Sequence, residues 1–157
     1  MPADLALLRA HPAHFLALGF GAGLAPRAPG TVGTLIALPL YWALAGLPPA
    51  AYWLLVGLGF VVGIWACART AQALGEADPG NVVWDEIIAF LTVLPFAPAG
   101  LWGALTAFVL FRLFDILKPF PIGWLERRLG GGLGIMLDDL LAAAYAILCL
   151  WGLSQWM

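Results

Sequence analysis

The chain has 157 residues, 63% of them hydrophobic and 10% charged, with mean hydropathy +0.96 and a formal net charge of −2. A soluble domain is about a quarter charged, so this composition excludes an ordinary soluble fold and reads as one small polytopic membrane domain over residues 1–157. A pI near 5.5 leaves no basic footprint for nucleic acid.

In chain order, residues 5–20 read as an amphipathic interfacial helix with Arg9, His11 and His14 as its polar positions. Asp4 ahead of Arg9, and a glycine-rich apolar run, argue against a cleavable signal peptide. Residues 34–47 form a first, rather short span, closed by Pro48 and Pro49, which cannot continue a helix. No charge falls between Leu35 and Ala68. Residues 50–74 make a second span of roughly 37 Å at the helical rise, and residues 82–96 a third of roughly 22 Å, short enough to be re-entrant. Residues 101–118 and 135–156 complete an all-α polytopic membrane bundle of about five membrane segments. Cys67 and Cys149 sit alone in apolar runs and read as small core hydrophobes, not a disulfide.

Residues 46–49 and 95–100 carry no charge, whereas Arg69, Arg112, Lys118, Arg127 and Arg128 flank the other loops. Lys and Arg collect on the cytoplasmic side, which puts the N-terminus inside and the C-terminus outside. Trp42, Trp53, Trp102 and Trp156 then fall toward the outer interface, and Trp84 and Trp124 toward the inner one.

Five of the nine acidic residues, Asp85, Glu86, Asp115, Asp138 and Asp139, lie within or at the ends of hydrophobic runs. A carboxylate at a bilayer centre costs about 2.5–3.5 kcal/mol on insertion scales, so such groups face a partner, a metal or a water-filled cavity. With five spans, all of them converge on one surface. Against Arg112 and Lys118 they leave an excess of three negative charges, which recruits a cation or raises their pKa values. Oxygen-only ligation suits Mg²⁺ held by carboxylates and substrate phosphate. Arg112, Asp115 and Lys118 are three residues apart, so neighbouring members share a helix face. Adjacent acids diverge by about 100° on a helix, so only one of each pair should aim squarely at a single metal.

Two glycine-rich stretches, residues 19–34 and 130–134, precede expected helix starts and offer backbone N–H groups as anion cradles. Small residues also serve close helix packing in membranes. No Walker lysine follows either run. No His lies near the acids to serve as a phosphohistidine nucleophile, and neither Cys carries the phosphate loop of a cysteine-dependent phosphatase.

With these residues in place the chain resembles the phosphatidylglycerophosphatase A family, over about residues 15–144. The matching stretches are GFGAGLAPRAPGTVGT (19–34), DPGNVVWDE (78–86), FRLFDILKPFPI (111–122) and GGLGIMLDD (131–139). Ala89 stands where the family pattern has Gly. The resemblance implies Mg²⁺-dependent hydrolysis of phosphatidylglycerophosphate to phosphatidylglycerol and phosphate in the bacterial inner membrane, with a phospholipid as the partner. Asp85, Glu86, Asp138 and Asp139 are the expected metal ligands and bases, and Asp115 a further ligand or orienter. Arg112 and Lys118 are the expected phosphate clamp, with Arg27 and Thr31 of the first glycine-rich stretch as further substrate contacts. The expected reaction is attack by a metal-activated water, with direct attack by an aspartate as the alternative. A CDP-alcohol phosphotransferase would show an Asp-Gly-x-x-Ala-Arg signature, which is absent. An ion- or proton-coupled transporter would carry its acids near mid-bilayer.

Overall fold

The computed structural model describes residues 2–126 and 128–155, and every regular element among them is helical. Arg127 and Trp156, read above as an inner-loop charge and an outer-interface aromatic, lie outside the described residues.

The interfacial helix expected over residues 5–20 is two short helices, α1 (Leu5–Ala10) and α2 (Pro12–Ala17). Pro12 lacks an N–H and pushes the residue before it out of the helical region, so His11 is extended (φ −158°, ψ 143°). His11 then caps α2, its Nδ1 accepting the Ala13 N–H at 3.0 Å. Asp4 caps α1 through the Leu7 N–H at 2.8 Å. The pair is fastened to the bundle by His14 Nδ1, 2.9 Å from Thr70 Oγ1.

A 3₁₀ segment (Gly19–Leu24) leads to α3 (Pro29–Leu44). This helix starts at Pro29, five residues ahead of the start expected at residue 34. A proline at the first helical position loses no hydrogen bond and has the right φ. Gly30, Gly33, Thr34 and Ala37 form the buried face of α3, and packing on that face outweighs their modest helix propensity.

The next elements are α4 (Pro49–Leu74), α5 (Trp84–Val93) with a 3₁₀ turn (Leu94–Phe96), α6 (Leu101–Leu117), α7 (Ile122–Glu126) and α8 (Gly131–Ser154). Helix α7 occupies a stretch where the pattern predicts only a loop. Among the described residues α4 and α8, with 26 and 24 residues, are long and apolar enough to cross a membrane. Leu54, Val61 and Trp65 of α4 and Leu148 and Trp151 of α8 point outward, as an apolar, lipid-facing surface would have them.

Helix α5 is the core of the bundle, packed among α3, α4, α6 and α8, and α8 packs in turn on α4, α6 and α7. Almost every side chain of α5 is buried. Trp84 is among them, its Nε1–H donating to the Gly59 carbonyl at 2.9 Å, so it is a core residue and not part of an interfacial belt. Tyr52 ties α4 to the far end of α5 by donating to the Leu91 carbonyl at 2.6 Å. Cys67 is buried and Cys149 half-buried, both as free thiols.

Residues 131–134 belong to α8 and are no loop before it. A Cβ on Gly132 would overlap the Ile64 carbonyl of α4, so its hydrogen lets two backbones touch. Gly132 therefore serves close packing, while Gly130 and Gly131 at the helix start have nothing within 4 Å of an added Cβ. Gly132→Ala must therefore push α4 away from α8, at a cost of about 1–3 kcal/mol. Gly57 has nothing within 4 Å of an added Cβ. Thermal unfolding in one detergent should show a clear loss for Gly132→Ala and none for Gly57→Ala.

Candidate active site

The first turn of α5 carries Asp85 and Glu86, favourable positions for acids at a helix N-terminus. The start of α5 is strapped down by the Val83 N–H on the Ala17 carbonyl at 2.9 Å and by Asn81 Nδ2 on the Gly23 carbonyl at 2.6 Å. Ala17 at the end of α2 and Gly23 of the 3₁₀ segment thereby hold the start of α5 in place. Helix α6 brings Arg112 and Asp115, and Lys118 forms its C-cap in the left-handed region (φ 43°). Asp138 and Asp139 arrive two turns inside α8.

Asp85, Glu86 and Asp139 each present a carboxylate oxygen, and the three oxygens lie within 4.8 Å of one another. Asp85 and Asp139 are 7% and 3% exposed. Both members of the adjacent pair on α5 reach one point, contrary to the rule that only one should. The longer glutamate side chain compensates for its angular offset. The pair on α8 does diverge. Asp138 turns to Lys118, with Oδ2 2.6 Å from Nζ, and its Oδ1 accepts the Asp139 N–H at 3.0 Å. The structure thus gathers three of the four expected metal ligands and sets Asp138 on the lysine beside them.

Arg112 joins α5 to α6. Its Nη1 is 3.5 Å from Glu86 Oε1 and donates to Asp115 Oδ2. Asp115 is close enough to Glu86 and Asp139 for their charges to act on one another. Lys118 Nζ also lies 3.9 Å from Asp78 Oδ2. Asp78 is not among the residues that the sequence singles out, although it opens the DPGNVVWDE stretch. Thr31 stands in the first turn of α3 next to Gly30, whose Cα faces Glu86. Arg27 is exposed on the turn before it. Beside Lys118 a cavity of about 380 Å³ is lined by Asp78, Asp138, Gly130, Gly131 and Gly134.

Asp85 Oδ1, Glu86 Oε2, Asp139 Oδ2 and Arg112 Nε are buried without a hydrogen-bond partner. Leaving a buried polar atom unpaired costs about 1–3 kcal/mol, more for a charged group, so four of them together mark a place that a polar ligand would stabilise. Three acceptor oxygens suit a hard divalent cation such as Mg²⁺, and one guanidinium N–H suits an anion oxygen. The donor set fits the metal that the resemblance implies.

The family model described as Phosphatidylglycerophosphatase A matches residues 15–154. The chain belongs to that family. It is 44% identical over 137 residues to a phosphatidylglycerophosphatase A of Escherichia coli K12, covering 87% of this chain and 80% of the relative. The phosphatidylglycerophosphatase A of Haemophilus influenzae is 43% identical over 149 residues, covering 94% and 91%. A Bacteroides thetaiotaomicron protein named as a candidate phosphatidylinositol-3-phosphatase is 39% identical over 147 residues, covering 88% and 91%. No solved structure matches the chain.

In this member of the phosphatidylglycerophosphatase A family, the Lys118–Asp138 contact has a measurable consequence. Lys118→Met strands a buried carboxylate and should cost about 3–5 kcal/mol. Adding Asp138→Asn removes the stranded charge. The double variant should be more stable than the sum of the single effects by about 0.5–3 kcal/mol, read from denaturation in a common detergent.

Proposed function

We propose that this chain hydrolyses phosphatidylglycerophosphate to phosphatidylglycerol and inorganic phosphate, with its site at the cytoplasmic face of a bacterial inner membrane. The observation that carries the reading is the set of unpartnered buried atoms, three carboxylate oxygens beside one guanidinium N–H. That set complements a cation and a phosphate together. The names of the Escherichia coli and Haemophilus influenzae relatives agree with it.

Asp85, Glu86 and Asp139 would hold Mg²⁺, which when bound supplies Lewis-acid neutralisation of phosphoryl oxygens. The remaining work falls to the chain itself. Arg112 is held by Glu86 and Asp115 with its Nε left unpartnered, and the fixed guanidinium is suited to a phosphoryl group. Lys118 adds a point charge, steadied by Asp138 and Asp78. Water adds to phosphorus as the bond from phosphorus to the glycerol oxygen breaks. A carboxylate oxygen of the cluster takes the proton of the water, and the departing glycerol oxygen is protonated in turn. Positioning and charge stabilisation are the main requirements of such a transfer. The cavity beside Lys118 has room for the headgroup glycerol, and Thr31 on α3 with Arg27 on the turn before it would add substrate contacts.

We further infer five membrane segments, α3, α4, α5, α6 and α8, with the N-terminus cytoplasmic. Helix α5 spans only about 15 Å of a hydrocarbon core about 30 Å thick. It is sheathed in protein on all sides, so its length need not match the lipid. The turn after it shares an apolar cavity with Leu38, Tyr41 and Trp42 in the second half of α3, at the end away from Gly30 and Glu86. On this reading α5 crosses inside the bundle and does not re-enter.

Purified protein in detergent should release phosphate from phosphatidylglycerophosphate only with Mg²⁺ or a similar ion supplied. Asp85→Asn and Asp139→Asn should each lower the rate at least about 100-fold. Lys118→Ala should weaken the use of substrate while leaving metal binding nearly unchanged. Single cysteines at positions 77 and 97 should react from opposite faces of sealed vesicles. Full turnover after exhaustive chelation, or near-normal rates in both asparagine variants, would remove the assignment.

A further inference from the structure

We infer that Gly30 is a positioning residue of this site: it gives the Glu86 carboxylate its place between the first turn of α3 and Arg112. The inference rests on the reading of Asp85, Glu86 and Asp139 as a divalent-cation site. A Cβ built on Gly30 would overlap Glu86 Oε1 and come within 3.3 Å of Arg112 Nη1. Oε1 is also the oxygen 3.5 Å from Arg112 Nη1, whereas Oε2 is the buried one without a partner. Backbone of α3 on one side and the guanidinium of α6 on the other therefore fix which oxygen remains for a cation.

Backing away from an added methyl group would cost helix α3 its close packing on α5. Three residues on, a Cβ on Gly33 would lie only 2.7 Å from the Val83 Cβ, so α3 already touches the start of α5. Thr34 and Ala37 on the same face are fully buried, and the Thr34 hydroxyl donates to the Gly30 carbonyl at 2.8 Å, pinning that turn. The atom that the new methyl would meet is the end of a side chain and not backbone. The fold can absorb Gly30→Ala by swinging the Glu86 carboxylate aside. Gly132 differs, because there the neighbour is the Ile64 carbonyl and a whole helix must move. Gly30 thus differs from a packing glycine: its substitution spares the fold and displaces a ligand.

The test uses Mn²⁺ alone as the probe, since it takes the same hard oxygen ligands and its free signal is read by electron paramagnetic resonance. Full-length protein in detergent is titrated as the unmodified chain, Gly30→Ala and Gly59→Ala. Gly59 is the packing control, because its Cβ would press on the Ile88 side chain of α5 and not on a carboxylate. Gly30→Ala should bind Mn²⁺ about 10- to 100-fold more weakly, the range for groups that orient metal ligands, with its melting temperature close to that of the unmodified protein. Gly59→Ala should keep its Mn²⁺ affinity. Unchanged Mn²⁺ affinity in Gly30→Ala, or equal loss in Gly30→Ala and Gly59→Ala, would overturn the role of Gly30 alone. An unmodified protein that binds no Mn²⁺ yet releases phosphate would overturn the cation site and this inference with it.

Discussion

Carboxylates from two helices meet inside an apolar bundle, and the arrangement around them follows from how that charge is held. Asp85, Glu86 and Asp139 bring their oxygens within 4.8 Å of one another, with one oxygen of each left without a hydrogen bond. Like charges at that range in a poorly screened place repel strongly. The basic residues at hand do not relieve this fully, because Arg112 is shared between Glu86 and Asp115, and Lys118 between Asp138 and Asp78. The bundle holds the three acids together by its packing, at a cost that a bound cation would offset. The proposed binding of a cation and a phosphate together would relieve that crowding.

That packing depends on helices that approach closely. Gly132 lets α8 lie on α4, Gly63 and Gly59 make room for Trp84 and Ile88 of α5, and Gly33 lets α3 touch Val83. In lipid there is little hydrophobic gain from bringing helices together, so close contact over small residues has to supply the adhesion. The same glycines place α5, short and buried, at the centre of the bundle. Its acidic first turn is thereby carried to the meeting point of α3, α6 and α8.

Much of this is legible in the chain, for identifiable reasons. Pro48 and Pro49 before α4, and the Lys118–Pro119 step after α6, mark their helix ends, so both ranges agree with the structure to within a residue. Pro12 carries the signal for the break between α1 and α2, and Pro29 the signal for the start of α3. Both are masked by the glycine-rich sequence around them, which reads as loop. The start of α8 cannot be read locally, because Gly132 and Gly134 are helical through contacts with Ile64 and Leu129. At the site, the shared face of Arg112 and Asp115 follows from their spacing. The choice of partners does not. That Asp139 joins Asp85 and Glu86 while Asp138 takes Lys118 depends on how α8 is rotated against α5 and α6, which no one-dimensional pattern encodes.

The central proposal is that Asp139 is a ligand of a divalent cation, crowded against Asp85 and Glu86, and thermal unfolding of Asp139→Asn beside the unmodified protein tests it most directly. A ligand that binds only the folded state raises stability in proportion to the logarithm of its concentration over the dissociation constant. The unmodified protein should melt at rising temperature as Mg²⁺ is added. Asp139→Asn should melt higher than the unmodified protein in chelator and respond little to Mg²⁺. An unmodified protein indifferent to Mg²⁺, together with an Asp139→Asn variant less stable than it in chelator, would contradict the account.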